Sequence, residues 1–267
     1  MSDFDTTTDR TWLRRRAMAL VAAVALLGSL GLVGTAQAQD AGWVRQAKQL
    51  FENDEYKQVI EIAEPHRKEN IGAMFLTFSH LQEFIFNGTK FDKEMAKQFK
   101  LQLEAKMTAD DIDDLLYFVN LNDKPEVVKE ARRLSGVAFK NISQIEDVPK
   151  LVTFLGSSDP GARKLALSSI KRIVEPKRKY VNQAGTLRPV DVSVMGSQKL
   201  IVPLLDRVDE SDAYRTLVMI EEPVLQHLAK YEGPLYGKLD IEINKAIQQR
   251  KKKFPESNWY SAVGKSR

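Results

Sequence analysis

The stretch "DIDDLLYFVNLND" (Asp111–Asp123) is written a second time, 36 residues later, as "DVPKLVTFLGSSD" (Asp147–Asp159). At that shift Ile112 falls on Val148, Leu115 on Leu151, Leu116 on Val152, Phe118 on Phe154, Val119 on Leu155 and Asp123 on Asp159. Any two amphipathic helices can be slid into some apolar match, because both carry an i, i+3, i+4, i+7 stripe. This match runs on through the turn, pairing Ala131 with Leu167, Leu134 with Ile170, Val137 with Ile173 and Ala138 with Val174. One unit is therefore a helix, a tight turn and a second helix. The turns "NDKPE" and "SSDPG" each offer an Asp as N-cap and a Pro near the first helical position, where its missing N–H costs no hydrogen bond.

A third copy, "IVPLLDRVDESD" (Ile201–Asp212), overlays the second at a shift of 53, so 17 extra residues lie between them. The surplus falls within "YVNQAGTLRPVDVSVMGS" (Tyr180–Ser197), which reads as one long polar inter-helix loop over 180–197, expected to be dispensable for folding. Insertions in repeat arrays usually sit in such loops. Elsewhere the pattern predicts helices near 41–52, 55–68, 70–86, 91–105, 109–121, 125–140, 144–156, 160–178, 197–209, 212–220, 222–231 and 238–253. The expected fold class is all-α.

"SSDPGARKLALSSIKRIV" (Ser157–Val174) resembles the second half of a HEAT repeat, with Asp-Pro opening the helix, Arg163 in its first turn and Ala166 on the packing face. "AKQLFENDEYKQVIEIAEP" (Ala47–Pro65) is similar to a tetratricopeptide repeat at Ala47, Leu50, Tyr56, Val59 and Ala63, although Val59 stands where that pattern most often has Ala. The resemblance implies an α-solenoid of stacked antiparallel helix pairs with a concave surface for a partner, and it implies no reaction.

The first 38 residues read as a cleaved signal peptide. Arg10, Arg14, Arg15 and Arg16 precede the apolar run Ala17–Val33, and Ala36-Gln37-Ala38 supplies the small-x-small cleavage site. The expected division is 1–38 signal, 39–107 tetratricopeptide-like, 108–253 HEAT-like and 254–267 tail, with the periplasm as destination by either the Sec or the twin-arginine route. Removing those four arginines and the acids Asp3, Asp5 and Asp9 leaves 36 basic and 33 acidic residues, close to neutral. With no cysteine the chain has neither disulfides nor thiolate chemistry, and packing alone must hold it.

His66, His80 and His227 are scattered without ligand spacing, and no nucleophile elbow, Walker loop or dinucleotide fingerprint is present. The acids Asp110, Asp111, Asp113 and Asp114 follow Thr108, where carboxylates suit a helix start. The expectation is no enzyme, no cofactor, no metal and no nucleic-acid partner. Two groups remain as candidates for binding. Met74, Phe75, Phe78, Phe84 and Phe86 could line a cavity for a lipid, sterol or other apolar ligand, the alternative being a central, covered helix. Lys171, Arg172, Lys177, Arg178, Lys179, Tyr180 and Arg188 flank the insert, as the chain's final basic run Gln249–Phe254 flanks its tail, and could meet an acidic protein or an anionic membrane surface. The expected role is a non-catalytic adaptor for an envelope protein or peptide; the alternative is a periplasmic carrier of an apolar ligand.

Overall fold

The computed structural model describes residues 42–184 and 189–255, with side chains left out for 178–184 and 189. The expected signal and most of the expected tail lie outside the described residues. The helices are α1 (Gly42–Glu52), α2 (Tyr56–Ala63), α3 (Asn70–Asn87), α4 (Lys90–Lys106), α5 (Ile112–Val119), α6 (Pro125–Asn141), α7 (Val148–Thr153), α8 (Pro160–Ala184), α9 (Pro189–Met195), α10 (Gln198–Leu205), α11 (Ser211–Ile220), α12 (Glu222–Leu228) and α13 (Pro234–Lys253). Short 3₁₀ turns open at Glu64, Ala109, Ile145 and Phe154. No strand occurs among the described residues, so the fold is all-α. None of the described helices is long and apolar enough to cross a membrane.

Each helix starts and stops for a local reason. The Thr108 side chain and Asp111 form a capping box ahead of α5, as the acidic run predicts, and Asp111 also accepts two hydrogen bonds from Asn70 Nδ2 at 2.9 and 3.0 Å. Asp159 caps α8 by accepting from the Ala162 amide at 2.7 Å, while both its oxygens hold Arg132 at 2.6 Å. Its counterpart Asp123 does not cap: Lys124 is the N-cap of α6 and no side chain bonds to the helix start there. Asp123 instead turns outward onto Lys124 Nζ. Pro65 ends α2 early, so the second expected helix finishes as a 3₁₀ turn. Gly72 lets α3 lie against that turn, since a Cβ there would stand 2.2 Å from the His66 carbonyl oxygen.

The expected long loop is a correction. α8 continues to Ala184, and the insert builds α9, with Pro189 at its first position. Val192 and Met195, spaced i, i+3, are buried, and α9 packs on the 3₁₀ turn Ile145–Asp147. The alternation of Val190, Val192 and Val194 hid this one-sided helical pair from a period-two reading.

Packing follows a regular order. α1 pairs with α2, α3 with α4, α5 with α6, α7 with α8, α10 with α11 and α12 with α13. Alternate members also touch: α5 on α7, α7 on α10 and α10 on α12 in one series, α4 on α6, α6 on α8, α8 on α11 and α11 on α13 in the other. The core positions related by 36 residues are equivalently buried, Ile112 with Val148, Leu115 with Leu151 and Phe118 with Phe154. The two matched turns bond to each other, because Asn120 Oδ1 accepts from Ser157 Oγ at 2.8 Å and from the Ser158 amide at 3.1 Å.

Helix-end carbonyls of earlier elements are finished by side chains of later ones. Gln102 donates to Arg67 O at 2.7 Å, Asn141 to Met107 O at 3.4 Å, Arg172 to Phe139 O and Ile142 O, both at 2.7 Å, Arg207 to Leu155 O at 3.2 Å and Tyr236 to Leu205 O at 3.4 Å. At the other end of the chain Arg250 reaches the fully buried Glu221 at 2.7 Å and Glu222 at 2.5 Å, anchoring α13 to the α11–α12 corner. Glu221 occupies φ +63°, a conformation that non-glycine residues rarely adopt.

Candidate functional site

The phenylalanine-rich α3 is apolar on most of its circumference, and its two ends are used differently. Met74, Phe75 and Phe78 are fully buried. Phe75 and Phe78 pack with Phe118 at centroid distances of 5.1 and 4.4 Å, and Phe51 completes the cluster at 5.6 Å from Phe118. These side chains join α1, α3 and α5 as core. Toward its C-terminus α3 loses that cover: Phe84 is half-buried and Phe86 is 67% exposed, stacked on Tyr56 at 6.0 Å.

Phe84 belongs to an open groove of about 450 Å³ between α3 and α4, edged by α6. Thr77, Leu81 and Phe84 from α3 and Ala96 from α4 form an apolar floor with one hydroxyl. Lys93, Lys97 and Lys100 from α4, with Glu94 and Glu130, form the rim. The lysine spacing of four and three residues puts all three on one face of α4. Lys100 faces Glu130 at 3.7 Å, and Glu130 also accepts from Arg133 Nε at 2.7 Å. Burial opposes the charge on Arg133, but hydrogen bonds to Glu130 and Glu104 outweigh it and raise its pKa. Lys93 lies 5.5 Å from the Phe84 ring centroid, a cation–π distance, and neither Lys93 nor Lys97 has a carboxylate partner among the described residues. The groove thus couples an apolar surface to unanswered positive charge. Its size lies within the range of small-ligand and peptide-anchor sites.

The basic residues flanking the insert are placed differently. Lys171 bonds Asp212 at 2.7 Å, Lys177 bonds the buried Asp191 at 3.1 Å, and Arg172 is committed to the carbonyls at the end of α6. The shallow depression at Ser168, Lys171, Arg172, Glu175 and Pro176 therefore presents cations already engaged within the protein. Arg178, Lys179, Tyr180 and Arg188 lie outside the residues whose side chains are described. Lys251, Lys252 and Lys253 are exposed at the end of α13, where they complement its dipole.

Two further polar clusters are structural in geometry. Lys124 is buried and bonds Asp54 at 2.7 Å and Asp123 at 3.0 Å. Burial works against its charge, but these two carboxylates raise its pKa, while Lys124 and the Tyr56 hydroxyl hold Asp54 below the usual carboxylate range. Burial, with help from Asp54, pushes the Tyr56 phenol up to about 12. His80 is buried and donates from Nδ1 to Asp92 at 2.8 Å. Burial raises the Asp92 pKa, but the hydrogen bonds from Thr89 and His80 outweigh it, for a net lowering. His66 stacks on Trp43 at 4.1 Å. No group of three potential metal ligands occurs among the described residues.

The sequence reading singled out Phe84 but missed Lys93, Lys97, Lys100 and Leu81. The signal was present, since the 93/97/100 spacing defines a face, but only the fold shows that this face meets the exposed end of α3. Compared with known protein families, curated proteins and solved structures, the chain matches none.

Proposed function

We propose that this chain is an exported, non-catalytic α-solenoid of HEAT-like and tetratricopeptide-like helix pairs, acting in the periplasm as an adaptor that holds an acidic, amphipathic segment of an envelope protein. The solenoid reading is supported by the alternate-neighbour packing, the 36-residue register and the bonded turns. The export reading rests on the arginine-rich, apolar and small-residue sequence of the first 38 residues.

One observation carries the binding reading: the α3–α4 groove sets Leu81 and Phe84 beside Lys93 and Lys97, which lack carboxylate partners among the described residues. A partner helix with an apolar stripe beside acidic residues answers both features, and such grooves read helices through i, i+3, i+4 anchors. The test is fluorescence anisotropy with a labelled acidic amphipathic peptide. Wild-type protein is expected to bind it and to weaken as salt rises. Lys93→Glu with Lys97→Glu should lose roughly tenfold in affinity with an unchanged circular dichroism spectrum. No binding, or equal binding by the double variant, refutes the reading. A lipid found by native mass spectrometry of the purified protein would replace the adaptor with a carrier.

A further inference from the structure

The turn between α3 and α4 ends in three large apolar side chains that the protein leaves uncovered. Ile85 is 46% exposed, Phe86 67% and Phe91 67%. They are held on a rigid corner. Gly88 closes α3 in the left-handed conformation at φ +69°, and the Thr89 hydroxyl accepts from the Asp92 amide to open α4 one residue later. Asp92 is in turn fixed by His80, whose ring meets Phe91 edge-on at 6.0 Å, while Phe86 stacks on Tyr56. Two aromatic side chains are thus presented at a defined geometry, with their faces largely in solvent.

The polar surroundings of this corner are basic. Lys90 lies between Phe86 and Phe91 in the turn and Lys93 follows one helical turn on, both exposed. Lys57, next to Tyr56, is near enough to Asp92 to help hold its carboxyl charged. The nearby acids are largely committed: Asp92 to His80 and Thr89, and the buried Glu83 to Asn87 Nδ2 at 2.6 Å. Glu94 is the exposed acid on this stretch of α4. Exposed aromatic and aliphatic side chains ringed by lysines match the chemistry of an anionic bilayer interface, where rings partition at the headgroup level and each lysine gains from the surface potential.

We propose that the α3–α4 corner is a membrane-docking tip, inserting Phe86, Phe91 and Ile85 into the headgroup region of an anionic phospholipid bilayer while Lys57 and Lys90 meet its phosphates. The tip is distinct from the groove floor, so a protein docked in this way keeps Leu81 and Phe84 available.

The test is vesicle co-sedimentation with the chain beginning at Gln39. This chain carries the whole described core and omits the apolar run Ala17–Val33, which would bind lipid by itself. The chain is expected to sediment with phosphatidylglycerol-containing vesicles and not with phosphatidylcholine vesicles. Phe86→Ser with Phe91→Ser should lower binding roughly tenfold or more, and Lys90→Glu about fivefold, with the circular dichroism spectrum unchanged. Because Phe86 rests on Tyr56, Phe91→Ser alone provides a variant that leaves that stack in place and gives up only the edge contact with His80. Phe91→Trp should give a blue-shifted emission on vesicle addition. Equal sedimentation of wild type and the double serine variant, or no preference for anionic lipid, overturns the proposal. The double serine variant should still bind the acidic peptide; loss of both activities together would place peptide and lipid on one surface and also overturn it.

Discussion

Replacing Phe118 by alanine tests the packing and the 36-residue register together. The ring is fully buried and meets four others, Phe51 at 5.6 Å, Phe75 at 5.1 Å, Phe78 at 4.4 Å and Tyr117 at 4.9 Å. Truncating a buried phenylalanine costs about 3–5 kcal/mol. The surrounding rings belong to three helices and cannot collapse far into the space left, and aromatic pairs add about 0.5–1.5 kcal/mol each beyond area. Phe118→Ala should therefore fall at the upper end, about 4–5 kcal/mol. The equivalent Phe154 is also fully buried but has one ring neighbour among the described residues, Phe139 at 4.9 Å, so Phe154→Ala should cost about 3–4 kcal/mol. Lys150→Ala is the control: its bonds to Asp110 and Asp147 lie at the surface and should contribute no more than about 0.5–1 kcal/mol. Urea unfolding followed by circular dichroism reads all three. With a slope of about 2 kcal/mol/M, Phe118→Ala should move the midpoint down by about 2 M. Losses below about 1 kcal/mol at both phenylalanines would mean that neither sits in a close-packed core and that the repeat register is accidental.

Arg250→Met should destabilise by about 3–5 kcal/mol in the same assay, because it takes its ion pair from the buried Glu221 carboxylate, whereas Lys252→Ala should change little. Deleting Pro189–Gly196 should lower stability by at least about 2 kcal/mol, since Val192 and Met195 leave the core; an unchanged melting temperature would return the insert to the status of a loop. The Tyr56 phenol, raised to about 12, favours the folded state below its unfolded pKa of about 10, and that contribution is lost as pH rises toward 12. Ultraviolet titration should show late phenolates, since burial also holds the Tyr117 phenol up, and Tyr56→Phe should remove one of them. At the acid end, Asp54 and Asp92 have lowered pKa values, so their contribution is present above about pH 4 and fades as pH falls through the folded values. Asp92→Asn should flatten that acid limb in a denaturation series.

Helix type and spacing were legible because the apolar stripe at Ile112, Leu115, Phe118 and its copy at Val148, Leu151, Phe154 satisfy the same burial. Cap chemistry was legible where the cap is local, as at Thr108, and misleading where another donor competes with the helix start, as Lys124 does for Asp123. Asp123 and Asp159 stand at equivalent positions, yet Arg132 and the Ala162 amide draw Asp159 inward while Lys124 draws Asp123 out. The insert was misread because Val192 and Met195 gain their burial from a 3₁₀ turn some 45 residues earlier, which no local pattern reports. The basic cluster looked available on the page of letters. Lys171, Arg172 and Lys177 find their acceptors only through tertiary packing, whereas Lys93 and Lys97, in a quieter run, have no such acceptor among the described residues.

The helix-end bonds from Gln102, Asn141, Arg172, Arg207 and Tyr236 all point the same way, from a later side chain to an earlier carbonyl. A chain that is threaded or synthesised from its N-terminus meets this arrangement as a schedule. The pairs α1–α2, α3–α4 and α5–α6 arrive before the residues that seal their open ends, and each is closed by a later helix. Order therefore accumulates in one direction, and trimming the chain from its C-terminus unseals the units in reverse.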